Sequence, residues 1–123
     1  KVSRISNLVK DLARSLAVGG ATVTVSPTGA FFLEALLAFF LESTVVNAGV
    51  SGKAGNLAGV AIGLTLTLNI LVGGPLTGAI FTPARQLGPA LAAGQFAHLP
   101  LYLIAPLVGG AAAAVLYRTL LGK

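Results

Sequence analysis

The stretch VGGPLTGAIFTPARQLGPAL, residues 72–91, lies in one of the most apolar parts of the chain and yet cannot form one regular helix. It contains three prolines and four glycines, and its single arginine, Arg85, follows Pro83 by two positions. Proline lacks the backbone N–H that a helix interior needs, and glycine weakens a helix, so the stretch predicts a broken helix. Thr82 suits an N-cap and Pro83 suits a first helical residue, which predicts a half-helix over residues 82–93.

The composition of the chain is that of an integral membrane protein. Of the 123 residues, 55% are hydrophobic and only 9% are charged, and the mean hydropathy is +0.92. A soluble domain has roughly a quarter charged residues, so this chain could not cover itself with a solvated surface. Its net charge of +5 comes from scattered basic residues, which argues against a nucleic-acid partner. The sequence contains no cysteine, which excludes disulfides and thiolate metal sites within it.

Three apolar segments are long enough to cross about 30 Å of hydrocarbon. They are residues 30–50, 57–74 and 100–120. Residues 75–81, which precede the half-helix, are too few to cross. Non-helical backbone at membrane depth must be buried in protein or line a wet cavity. We therefore predict an all-α membrane protein with three transmembrane helices and one re-entrant loop, followed by the half-helix over residues 82–93.

Residues 1–28 precede the first span and form a separate N-terminal segment. Apolar residues recur at helical spacing from Ile5 to Leu16, which predicts a short amphipathic helix over residues 1–17 at the membrane interface. A loop or a frayed helix end would explain the same residues equally well. Residues 19–29 are rich in turn formers and predict a loop. The chain has no methionine, even at position 1, so we expect it to be part of a longer protein.

The predicted half-helix has an electrostatic consequence. A helix that begins inside the membrane points its unpaired N–H groups, with about half a positive charge, into the middle of the bilayer. Arg85 lies in the first turn and adds a full positive charge beside them. Together these groups predict an electropositive constriction.

The motifs around this half-helix resemble the second repeat, in the C-terminal half, of the aquaporins or major intrinsic proteins. That repeat carries Gly-Pro-x-Thr-Gly, then Asn-Pro-Ala-Arg, then Gly-Pro-Ala. This chain has GPLTG at residues 74–78, TPAR at residues 82–85 and GPA at residues 88–90. The likeness covers residues 28–120 and implies that residues 29–123 form one aquaporin repeat.

The resemblance also implies a function. It predicts a passive channel for water and small uncharged solutes of the ammonia, urea and glycerol class, formed by a six-span protein of which this chain is a fragment. It further implies a homotetramer when the protein is complete, no cofactor, and an integral multi-pass location in the plasma membrane or a vacuolar-type membrane. An enzyme is not expected, since the sequence has no paired catalytic acids and only one histidine.

Family roles transfer to this chain position by position. The resemblance assigns the selectivity filter to Ile70, Ala79 and Arg85, the Asn-Pro-Ala motif to Thr82, Pro83 and Ala84, and the support of the loop to Glu34, Thr77 and Gly78. An aliphatic Ile70 and a small Ala79 are similar to the filters of tonoplast-type plant members and some bacterial members. Thr82 replaces the family's asparagine, and its hydroxyl can still cap the half-helix and offers one hydrogen-bond donor.

Five further residues have interpretations outside these motifs. Glu42 is predicted to be a neutral acid facing the protein or to lie near an interface, with proton coupling as the alternative. His98 is predicted to be an interfacial loop residue, with a pH gate as the alternative. Asn69 is expected to form hydrogen bonds between helices, with contact to the permeant as the alternative. Tyr102 and Tyr117 are expected to be interface anchors.

Two other functions fit parts of the pattern. Broken helices with N-termini at mid-membrane also mark coupled transporters, in which Glu42 would carry the proton. A non-conducting membrane protein derived from half of a channel is the third hypothesis, because one repeat supplies only half of a pore wall.

Overall fold

The structure, a computed structural model, describes residues 2–8 and 25–121 of the chain. Every regular element within these ranges is helical. Residues 2–8 are helical and exposed. The rest of the predicted amphipathic helix, residues 9–17, lies outside the described residues, as does most of the loop predicted after it.

The first long helix, α1, runs over Pro27–Thr44 and continues as a π-helical segment over Val45–Val50. Its start is fixed locally, because the Ser26 side chain accepts a hydrogen bond from the Gly29 N–H at 3.2 Å and Pro27 needs no hydrogen-bond partner. The combined segment has 24 residues and is long and apolar enough to cross a membrane.

Helix α2 covers Ala58–Thr77 and follows a 3-10 turn. It ends three residues later than the predicted span, because it continues through Pro75. One proline near a helix end removes a single hydrogen bond, whereas Gly78 ends the helix by adopting a left-handed conformation with φ +90°. The Gly78 N–H then bonds back to the Gly73 carbonyl at 3.1 Å. The re-entrant loop is therefore only five residues long, from 78 to 82.

Helix α3, Pro83–Ala93, is the short helix that follows this loop. Eleven residues span about 16 Å, which is half of what a crossing requires. It starts after Thr82, whose backbone is extended with φ −140°, and it ends at Gly94, whose φ is +64°. Its inner face packs on the last helix.

Helix α4, Leu99–Leu116, continues as a π-helical segment over Tyr117–Leu121. α1 packs most extensively against α4 and next against α2, so it is the central helix of the described region. A Cβ atom added at Gly109 would collide with the Ala35 carbonyl, so this glycine is what allows the two backbones to approach so closely.

The core lies where the loop meets α1. Leu37, Ala38 and Leu41 of α1 form one buried cluster with Ala79 and Phe81 of the loop. The outward faces of the helices remain apolar.

Leu64, Leu68 and Leu71 of α2, for example, are between 61% and 68% exposed. Such faces are suited to hydrocarbon, and the three long helices make the chain an integral, multi-pass membrane protein of the all-α class.

Candidate functional site

Glu34 is the centre of the hydrogen bonds that hold the re-entrant loop. This carboxylate of α1 is fully buried. Its Oε1 accepts hydrogen bonds from the Thr77 hydroxyl at 2.5 Å and from the Ile80 N–H at 3.2 Å, and its Oε2 accepts one from the Phe81 N–H at 2.6 Å. Three donors compensate for much of the cost of burying the acid. The structure thus brings together Glu34 and Thr77, two of the residues predicted to support the loop.

The loop backbone is strained. Gly78, Ala79 and Phe81 have φ values of +90°, +49° and +33°. Left-handed conformations cost of order 1–3 kcal/mol at residues other than glycine, and they persist where the surroundings hold them in place. Here the bonds to Glu34 hold them, which explains why a rigid acceptor and a strained backbone occur together.

The same bonds decide where the loop carbonyls point. In a trans peptide the C=O of one residue points away from the N–H of the next. Because the N–H groups of Ile80 and Phe81 face Glu34, the carbonyls of Ala79 and Ile80 face the other way. The Ala79 carbonyl accepts a hydrogen bond from Arg85 Nη1 at 3.5 Å, and the guanidinium also lies 5.7 Å from the centre of the Phe81 ring. The loop therefore orients Arg85.

The three predicted filter residues have different placements. Arg85 is exposed on the first turn of α3, and Ile70 is 40% exposed on α2. Ala79 is fully buried, and its methyl group points toward Gly73. Its left-handed φ turns the side chain inward, so Ala79 contributes a carbonyl that holds Arg85 and not an exposed methyl group. The family resemblance assigned Ala79 to the selectivity filter, and it could not show this orientation.

Thr82 occupies the N-cap position of α3, with Pro83 at the first helical position and an exposed Ala84 after it. The prediction that its hydroxyl caps the half-helix is wrong, since no side-chain cap bond is present. The tight turn at Phe81 instead brings the Ile80 carbonyl close, and the Thr82 hydroxyl donates to it at 3.3 Å. The leading N–H groups of α3 are thus left without a side-chain acceptor from Thr82.

Tyr102 was missed as a part of this site. It is 2% exposed, and its hydroxyl donates to the Thr77 carbonyl at 3.0 Å, so the interpretation as an interface anchor is wrong. Its position near a helix end suggested an anchor. The better signal was its spacing from Ala105, Pro106 and Gly109, which places all four residues on the same buried face of α4.

The remaining polar residues lie outside the loop. The Asn69 amide donates to the Leu37 carbonyl at 2.8 Å, which confirms the predicted bond between helices. Glu42 is half-buried beside Gly110 and forms no hydrogen bond in the described part of the chain. His98 is exposed and precedes α4 as its N-cap residue.

A buried carboxylate that anchors a re-entrant loop, followed by a half-helix with an arginine in its first turn, is the arrangement that the sequence motifs implied. The family model of the major intrinsic proteins matches residues 5–117. The chain belongs to the major intrinsic protein family. The predicted resemblance is thereby confirmed at the level of the family.

Individual major intrinsic proteins are similar over most of this chain. Aquaporin NIP3-1 of Zea mays is 47% identical over 104 residues, which cover 81% of this chain and 34% of that protein. Nodulin-26 of Glycine max is 45% identical over 90 residues, which cover 72% of this chain and 33% of that protein. Aquaporin NIP6-1 of Arabidopsis thaliana is 44% identical over 101 residues, with 80% and 33% covered. The chain thus spans about a third of the length of these relatives.

Proposed function

We propose that this chain forms one wall of a passive membrane channel for water and small uncharged solutes, in the ammonia, urea and glycerol class. Membership of the major intrinsic protein family supports a channel, as do the names of the aquaporins that it resembles. The channel would be completed by the rest of a six-span protein, and the complete protein would assemble as a homotetramer. It would need no cofactor and would catalyse no covalent step.

The observation that carries the proposal is the loop held by Glu34 with Arg85 oriented beside it. The N-terminus of α3 points a partial positive charge at the same region that the guanidinium occupies. A cation or a proton entering this region meets both charges, whereas a neutral solute meets only hydrogen-bonding groups. This arrangement excludes cations by electrostatics and needs no moving part.

The proposed lining follows from exposure and chemistry. Arg85 and Ile70 present their side chains to the passage, and Ala79 holds the guanidinium from behind through its carbonyl. Ile70 offers no donor or acceptor, so it sets the width of the constriction and not its polarity. The likeness of Ile70 and Ala79 to tonoplast-type and bacterial filters therefore concerns which neutral solutes fit.

The proposal is tested with vesicles that contain the complete protein. We expect osmotic shrinkage to be faster than in empty vesicles. We also expect Arg85→Val to raise the permeability to urea or to cations relative to water, because the fixed charge is removed. Arg118→Val is the matched control, since Arg118 is exposed on the last helical segment and away from the loop.

Permeability equal to that of empty vesicles would refute the channel. A different outcome would assign coupled transport, and the observation that favours it is that Glu42 forms no hydrogen bond in the described part of the chain. In that case solute flux would follow an imposed proton gradient and would be lost in Glu42→Gln.

A further inference from the structure

The buried hydroxyl of Tyr102 bonds to the Thr77 carbonyl, at the point where the chain leaves helix α2. The last carbonyls of a helix have no intrahelical partner. If α2 continued, the carbonyl of Thr77 would accept the N–H of Phe81, four residues later. That N–H is donated to Glu34 instead, at 2.6 Å. The Tyr102 hydroxyl therefore supplies the donor that the missing helical turn would have provided.

Glu34 and the Thr77 carbonyl are therefore alternative acceptors for the Phe81 N–H. In the observed state, Phe81 bonds to Glu34 while Thr77 accepts from Tyr102. Without the Tyr102 hydroxyl, the buried Thr77 carbonyl is unsatisfied, and the Phe81 N–H becomes its nearest available helical donor. Competition from that carbonyl would weaken the bond from the Phe81 N–H to Glu34, loosen the loop and shift the carbonyl of Ala79, which holds Arg85.

We infer that Tyr102 is a positioning residue, which secures the end of α2 that Gly78 sets and thereby holds the re-entrant loop and Arg85 in place. It acts through Thr77, since its hydroxyl bonds to neither Arg85 nor the loop amides. Thr77 contributes twice, because its own hydroxyl donates to Glu34 at 2.5 Å. The effect of Tyr102 on permeation rests on the proposed channel function, whereas its effect on the loop does not.

The test compares Tyr102→Phe with Tyr117→Phe in the complete protein, in lipid vesicles. Both variants lose one hydroxyl, but the hydroxyl of Tyr117 forms no hydrogen bond in the described part of the chain. Hydrogen exchange is measured amide by amide. We expect the Ile80 and Phe81 amides to exchange about fivefold faster in Tyr102→Phe only, with the amides in the middle of α1 unchanged.

Permeation gives a second measurement. We expect the ratio of urea to water permeability to rise about fivefold in Tyr102→Phe, because Arg85 loses its fixed position, and to stay unchanged in Tyr117→Phe. Exchange at Ile80 and Phe81 that matches the wild type would overturn the inference. If the wild-type protein does not conduct, the proposed function fails, and the exchange data still decide the role of Tyr102.

A second variant tests whether Tyr102 acts through Thr77. Thr77→Val keeps the carbonyl but removes the hydroxyl that donates to Glu34, and should also speed exchange at Ile80. Because both side chains act on the same loop, the effects of Tyr102→Phe and Thr77→Val should be non-additive in the double variant. Simple additivity would show that the two hydroxyls act independently and would contradict the inference.

Discussion

Glu34 and Glu42 lie on the same helix, and their surroundings give them opposite roles. Glu34 is fully buried and accepts three hydrogen bonds, whereas Glu42 is half-buried and accepts none in the described part of the chain. A carboxylate offers acceptors at both oxygens, but an amide replaces one of them with a donor. Substitution by glutamine should therefore affect stability differently at the two residues.

Glu34→Gln should destabilise the protein by about 2–3 kcal/mol, because an NH₂ group would face a backbone N–H or the Thr77 hydroxyl. Glu42→Gln is the matched control and should change stability by less than about 0.5 kcal/mol. Denaturant unfolding in detergent, followed by helical circular dichroism, measures both. Equal losses for the two variants would show that the bonds to Glu34 do not stabilise the loop.

Helix packing depends on where glycine removes a collision. Gly109 faces the backbone of Ala35, whereas Gly63 on α2 has open space around it. Gly109→Ala should therefore separate α1 from α4 and cost about 2 kcal/mol or more, as overpacking of a tight contact does. Gly63→Ala should be neutral or stabilising by up to about 1 kcal/mol, since alanine is the better helix former. Thermal unfolding compares the two, and a larger loss at Gly63 would contradict the packing described.

The helices could largely be predicted from the sequence, while the geometry of the loop could not. Apolar length locates the spans, and the Thr82-Pro83 pair marks the start of α3. The end of α2 was predicted three residues too early, because this helix continues through Pro75 and ends at Gly78. The inward turn of Ala79 depends on the sign of φ at a residue other than glycine, and no local pattern gives that sign. The role of Tyr102 depends on a contact between distant residues.

The described chain as a whole has two kinds of surface. One kind is apolar and uninterrupted, as along the leucines of α2, and it is suited to lipid. The other kind includes Arg85 and Ala84 at the start of α3, where a charge and a helix N-terminus without a side-chain cap lie beside a loop and a helix that are too short to cross. A bilayer could not solvate these groups, so they must face protein or water, and the proposed function requires water beside them. That requirement is the central claim of the proposed function.

Cysteine accessibility tests this claim most directly, since the chain itself contains no cysteine. Ala84→Cys and Leu68→Cys are each made in the complete protein, after any cysteine elsewhere in it has been replaced, and treated in vesicles with a small, neutral, water-soluble methanethiosulfonate. Thiols react as thiolates, which form in water and are favoured near positive charge. Ala84→Cys should react at least about tenfold faster than Leu68→Cys, and its modification should slow water flux. Equal, slow reaction at both positions with unchanged flux would show that lipid or protein, and not a water-filled passage, lies beside the start of α3.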